Sequence, residues 1–261
     1  MHFFIHSSNV VAGKIALTMT PKQFYERLHK FGIGRPTGMD LPGESAGILS
    51  NYKHWQPLDL ATTGFGQGMV AVTPLQLAAA VASVANNGVY MQPHIVKRVY
   101  DPITGVTKQW STVKSRQVVS PAIAKLVTNL LAQNIAMGTQ IAGQVPGFSV
   151  SGKTGTAQKP IQGGHGYLAG QTIASFIGYF PSQNPQLLCL VVVDDPKTDG
   201  RWGNTIAGPV FNAIASESAR YLGIRANPEL INSKHAYAYT VAPSIKYKDE
   251  LQQKVHSVEP R

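Results

Sequence analysis

No helix of useful length can start after Lys153, because Gly155, Pro160, Gly163, Gly164, Gly166 and Gly170 follow in quick succession. Glycine and proline are the two residues most costly to a helix interior. The constraint decides between two readings of one stretch. Gly147 to Thr154, "GFSVSGKT", satisfies G-x-x-x-x-G-K-[ST], the pattern of a phosphate-cradling loop. Such a loop needs a helix directly behind it, since the N–H groups of a helix N-terminus supply much of the anion site. The loop itself is also wrong, because "FSVS" alternates apolar and polar residues as a strand does. "LLCLVVVDDP" imitates a metal-binding strand ending in Asp194 and Asp195, but it does not repair the missing helix. Lys153 belongs on a strand.

The same punctuation organises the rest of the chain. Thr20-Pro21-Lys22-Gln23 offers an N-cap, a proline at the first helical position and a capping-box glutamine. That helix is predicted to run to about Lys30, with Gly32 just beyond it. Thr73-Pro74-Leu75-Gln76 repeats the device before "LAAAVASVA", and Asn87-Gly88 stops it. Ser120-Pro121 opens a third helix that ends near Gly138. Strands follow at "FSVSGKTGTA", "TIASFIGYFP" and "LLCLVVVDDP", the last two joined as a hairpin through "SQNPQ". A closing helix is predicted from about Pro209 to Tyr221, with Val210, Ile214 and Tyr221 at near-helical spacing. Helices, then clustered strands, then a helix imply an α+β fold, an antiparallel sheet with helices packed on its faces. From Arg225 to Arg261 the texture turns polar, which reads as a tail outside a folded unit spanning 1–224.

Charge narrows the function less than it first suggests. The chain carries 23 Lys+Arg against 13 Asp+Glu. The basic residues are scattered rather than clustered, which argues against nucleic acid as a partner. No apolar run is long enough to span a bilayer. The eight histidines lack metal-ligand spacing, and Cys189 stands alone, so no metal site or cofactor is expected. His165 in "GGHGY" reads as a solvated loop residue.

On a strand, Lys153-Thr154-Gly155 has chemistry of its own. A glycine within a strand allows another backbone or a peptide to approach closely. A lysine with Thr154 and Thr156 beside it can bind a carboxylate and act on a neighbouring serine. Simple alternation sends Lys153 and Thr154 to opposite faces, so both can serve one cleft only on a twisted edge strand. A candidate serine stands in Ser7-Ser8-Asn9, just before the helical stretch "VVAGKIALTM". Serine and asparagine are also ordinary helix caps.

Taken in order, "SSNVVAGKIAL", "FGIGRPTGMDLPGESAGIL", "TTGFGQGMVAVTPLQLAAAVASVANNGVYMQPHIV", "VSGKTGTAQ", "SFIGYFP" and "LVVVDDP" resemble the later part of the transpeptidase domain of class B penicillin-binding proteins. The triplet and "TGFGQG" resemble the cell-division type more than the elongation type. The resemblance implies the penicillin-binding transpeptidase/β-lactamase-like fold. It also implies a D,D-transpeptidase of septal wall synthesis at the extracytoplasmic face of the inner membrane. Stem peptides ending in D-Ala–D-Ala and β-lactams would be its ligands, and a glycosyltransferase and division proteins its partners. Ser7 and Lys153 would relay protons around the leaving group, and Asn9 would bind the donor amide. Thr154, Gly155 and Thr156 would hold the terminal carboxylate. The Thr156 N–H would supply half the oxyanion hole, an effect worth about 3 kcal/mol.

The family's nucleophile lies in an S-x-x-K motif ahead of S-x-N, and here six residues precede Ser7. Ser50-Asn51-Tyr52-Lys53 and Ser111-Thr112-Val113-Lys114 match the string but follow the triplet, the first as a Pro-flanked connector and the second as an exposed strand or loop. The chain is therefore expected to be truncated before the motif. Rival readings of the same fold are a β-lactam sensor or hydrolase, or a non-catalytic remnant that only binds.

Overall fold

A computed structural model describes residues 6–109, 115–137, 141–163, 166–197 and 201–231. The expected helices form where their caps stand. α1 spans Asn9–Ala16 and α2 spans Pro21–Lys30, with Thr20 and Gln23 closing the reciprocal capping box. β1 (Ile48–Leu49), α3 (Pro57–Gly64) and β2 (Val70–Ala71) follow. α4, Pro74–Ala85, carries the second capping box, from Thr73 and Gln76. Three short strands, β3 (Val89–Met91), β4 (Arg98–Tyr100) and β5 (Thr107–Gln109), precede β6 (Ser115–Gln117). α5 runs over Pro121–Met137.

The site is built on the final sheet. β7 (Ser151–Pro160), β8 (Tyr167–Phe180) and β9 (Leu187–Asp194) are antiparallel in that order, and α6 (Gly203–Tyr221) packs on β8 and β9. β7 is thus an edge strand, as a shared cleft for Lys153 and Thr154 requires. It begins at Ser151, later than the alternation of "FSVS" suggests, because Phe148 closes a turn bridged to Val145 and both it and Val150 are buried ahead of the strand. β8 in turn starts earlier than expected, at Tyr167, with Gly170 taking a left-handed φ of 70° inside it.

Phe176 and Phe180 of β8 meet Phe211 of α6, Phe148 and Ile135 in the main core. This packing corrects the reading of the last helix. It starts at Gly203 and carries Pro209 inside it. Proline in a helix interior removes one backbone hydrogen bond. Here Gly203, Ala207, Gly208, Phe211, Ala215 and Ala219 form the buried stripe, and their contact with the sheet extends the helix through the proline. Val210, Ile214 and Tyr221 lie on the outer face, 43%, 44% and 89% exposed.

A second cluster joins Ala16, Trp55 and Leu60, flanked by Phe24, Tyr25 and Tyr52. It seats α1 against α3 at close range. A Cβ on Gly64 would lie 2.5 Å from the Ala16 Cβ, so the helices meet where neither can carry more bulk. After α6 the polar segment folds back at first, the Asn227 N–H donating to the Gly147 carbonyl at 2.8 Å and Leu230 buried. Residues 232–261 lie outside those described. Among the described residues no helix is long and apolar enough to cross a membrane, and no His, Cys, Asp and Glu group is placed to hold a metal.

Candidate active site

Ser7, Ser8 and Asn9 divide two tasks between them. Ser8 is the N-cap of α1, its hydroxyl accepting the Val11 N–H at 3.4 Å. Capping thus consumes the middle residue and leaves Ser7 and Asn9, both exposed, on either side of it. Ser7 has a left-handed φ of 52°. Such a backbone at a non-glycine residue costs on the order of 1–3 kcal/mol and collects at functional sites.

The sheet meets the helix at this point. Lys153 Nζ donates to Ser7 Oγ at 2.8 Å and to the Thr154 carbonyl at 3.3 Å. Burial pushes the Lys153 ammonium down to about 8 from the ordinary lysine value. An amine with such a value interconverts readily between donor and acceptor near neutrality, the property a proton-transfer group needs. Ser7 and Lys153 therefore form a serine–lysine pair held by α1 and β7.

The rest of the K-T-G element has its own supports. A Cβ on Gly155 would lie 2.5 Å from the Ser175 hydroxyl of the paired strand. A side chain here could be accommodated only by turning the Ser175 hydroxyl aside, so the glycine keeps the two strands closely packed. Thr156 is exposed, and its hydroxyl accepts the Gly203 N–H at 3.1 Å. Thr154 is half-buried beside it. At the far end of the hairpin the Tyr167 hydroxyl accepts the Gly68 N–H at 3.1 Å, tying β8 to the "TGFGQG" loop. Neither Gly203 nor Tyr167 was expected from the sequence.

The other described candidates have partners of their own. The Ser50 hydroxyl accepts the Trp55 indole N–H at 2.7 Å, and Lys53 sits on a 3-10 turn, Tyr52–His54. Ser50 is thereby engaged in packing the Trp55 cluster. Ser111 to Lys114 and His165 lie outside the described residues. Asp194 ends β9 in an ion pair with Lys159 at 2.8 Å, and Asp195 pairs with Lys197, which holds its carboxyl below the usual range. β7 turns straight into a hairpin with β8 rather than a helix, so no phosphate loop forms at Lys153.

Residues 2–216 match the family described as the penicillin binding protein transpeptidase domain. Stage V sporulation protein D of Bacillus subtilis is 39% identical over 217 residues, covering 83% of this chain and 33% of that protein. The probable peptidoglycan D,D-transpeptidase PenA of Neisseria flavescens is 35% identical over 228 residues, covering 87% of this chain and 54% of that one. Among solved structures, penicillin binding protein 3 of Mycobacterium tuberculosis complexed with ampicillin superposes with a TM-score of 0.78 at 30% identity, covering 85% of this chain and 50% of that one. The chain thus spans between a third and about half of the length of these relatives.

Proposed function

The chain belongs to the penicillin-binding protein transpeptidase family, and on that premise we propose that it supplies the substrate-recognition and proton-relay half of a peptidoglycan D,D-transpeptidase site. The observation that carries the reading is the 2.8 Å contact from Lys153 to Ser7, which unites two motifs 146 residues apart. The substrate class is a stem peptide ending in D-Ala–D-Ala, with β-lactams as its mimics. Thr154 and Thr156 take the terminal carboxylate, assisted by the charge of Lys153. Asn9 takes the donor amide, and the Thr156 N–H faces the developing oxyanion. Protonated Lys153 donates through Ser7 to the leaving amine as the C–N bond breaks. By the family resemblance, the nucleophile that forms the acyl-enzyme is a serine of an S-x-x-K motif distinct from Ser7. The triplet and "TGFGQG" favour the septal type, acting in the cell envelope with glycosyltransferase and division partners.

The test is a titration of the chain with N-acetyl-D-Ala-D-Ala, followed by backbone NMR. Shifts confined to residues around Asn9 and 153–156, weakened in Lys153→Ala and lost when the C-terminal carboxylate is amidated, are the expected result. Equal response to the amide, or no response in this region, would contradict the reading.

A further inference from the structure

The carboxylate-binding role given to Thr156 leaves one feature of α6 unexplained. The first N–H groups of a helix have no partner within it. Trp202, the N-cap residue, makes no side-chain cap. The first of these orphan groups, the Gly203 N–H, instead donates to the Thr156 hydroxyl, 47 residues away on β7.

We propose that Gly203 is a positioning residue for Thr156, fixing its hydroxyl so that the proton is left to donate to a carboxylate in the cleft. The proposal rests on the transpeptidase reading above. A threonine hydroxyl has one proton and two acceptor sites. Once its oxygen accepts from Gly203, the rotor is confined and its proton turns to the exposed side. Sitting at the positive end of a 19-residue helix also polarises the hydroxyl, which makes it a stronger donor.

The surroundings hold this contact in place and restrict residue 203 to glycine. A Cβ there would lie 2.3 Å from the Ser175 carbonyl oxygen and 2.5 Å from the Gly155 carbonyl oxygen. Both are backbone atoms of the paired strands and cannot swing aside. The approach to the helix is strapped to β8 as well. The Thr172 hydroxyl donates to the Arg201 carbonyl at 3.2 Å, and the Arg201 guanidinium donates to the Gly170 carbonyl. Any larger residue at 203 must lift the first turn of α6 off the sheet and release Thr156.

The experiment reads the Thr156 rotamer directly, from three-bond couplings to its methyl carbon, alongside affinity for N-acetyl-D-Ala-D-Ala. In the unmodified chain Thr156 holds one rotamer. Gly203→Ala averages it and weakens binding about tenfold, the scale of one hydrogen bond to a charged group. Thr156→Val loses a similar factor, and adding Gly203→Ala to it costs nothing further. Gly208→Ala, in the same helix as Gly203, is the control, because its Cβ would lie 2.8 Å from the Cβ of Ala142 in the 3-10 turn Ile141–Gly143. It lowers stability but leaves the Thr156 couplings and the affinity unchanged. A single retained rotamer and full affinity in Gly203→Ala would overturn the proposal. If Gly203→Ala does not fold, Thr156→Val must speed hydrogen exchange at the Gly203 amide, and unchanged protection there overturns it equally. A chain that binds no dipeptide defeats the transpeptidase reading alone, since the couplings and the exchange still decide the role of Gly203.

Discussion

Lys153 donates to Ser7 at 2.8 Å from a strand to the start of a helix, and burial brings that ammonium down to about 8. The charged form is the one that burial penalises, so the penalty is complete wherever Lys153 is protonated in both states. Above pH 8 the folded chain sheds this proton while the unfolded chain retains it up to about 10.4. Stability contributed at this site therefore rises with pH between about 8 and 10.4 and levels off beyond it. Melting temperatures of the chain, taken relative to Lys153→Met across this range, should climb. A flat difference would mean that the lysine titrates as it does in water.

Gly64→Ala should weaken the whole approach of α1 to α3. The new methyl would overlap the Ala16 Cβ, with the Ala12 carbonyl oxygen only 3.2 Å from the same position. Overpacking of this kind costs about 1–3 kcal/mol. A urea midpoint displaced by that amount at unchanged slope is the expected outcome. Because Ser7 immediately precedes the N-cap of α1, the Lys153 side-chain resonances should move too. An unaltered midpoint would show that the two helices slide apart freely.

What could be read in advance was chemistry confined to neighbouring residues. Thr20 with Gln23 and Thr73 with Gln76 announce helices because a capping box is complete within four positions. The glycines after Lys153 exclude a helix for an equally local reason, and the motif match located Ser7 and Lys153. Pro209 misled because its local cost is overruled by the burial of Ala207, Gly208 and Phe211 against the sheet. The contacts of Gly203 with Thr156 and of Tyr167 with Gly68 leave no periodic or motif signal, since each joins backbone N–H to a hydroxyl across 47 and 99 residues. Such pairs exist only once the sheet and helices are assembled.

Tyr167→Phe isolates the second of those contacts. It removes the hydroxyl that accepts the Gly68 N–H while keeping the ring. Gly66 and Gly68 both take left-handed φ values and are exposed, so neither adds a side chain to hold the freed loop. The Gly68 amide should exchange with solvent several-fold faster, as expected for loss of a hydrogen bond worth about 1 kcal/mol. Global stability should change by no more than that. Unchanged exchange at Gly68 would show that the hairpin does not restrain the loop.

Exposure of this chain to benzylpenicillin should leave no stable covalent adduct in its intact mass. Lys153, Thr154 and Thr156 can hold the drug's carboxylate, but forming an acyl-enzyme needs a nucleophile aligned with the ring carbonyl. Ser50 is hydrogen-bonded to the Trp55 indole. The Ser7 oxygen already accepts the Lys153 proton at 2.8 Å. In that arrangement it passes a proton onward rather than attacking. Appending an S-x-x-K segment from a relative should restore labelling at the added serine, with Lys153→Ala slowing it by about 2–4 kcal/mol of barrier. An adduct on the unextended chain would reverse these roles. Mapped to Ser7 it would make the Ser7–Lys153 pair the acylating dyad, and mapped to Ser50 or Ser111 it would promote one of the two later S-x-x-K strings.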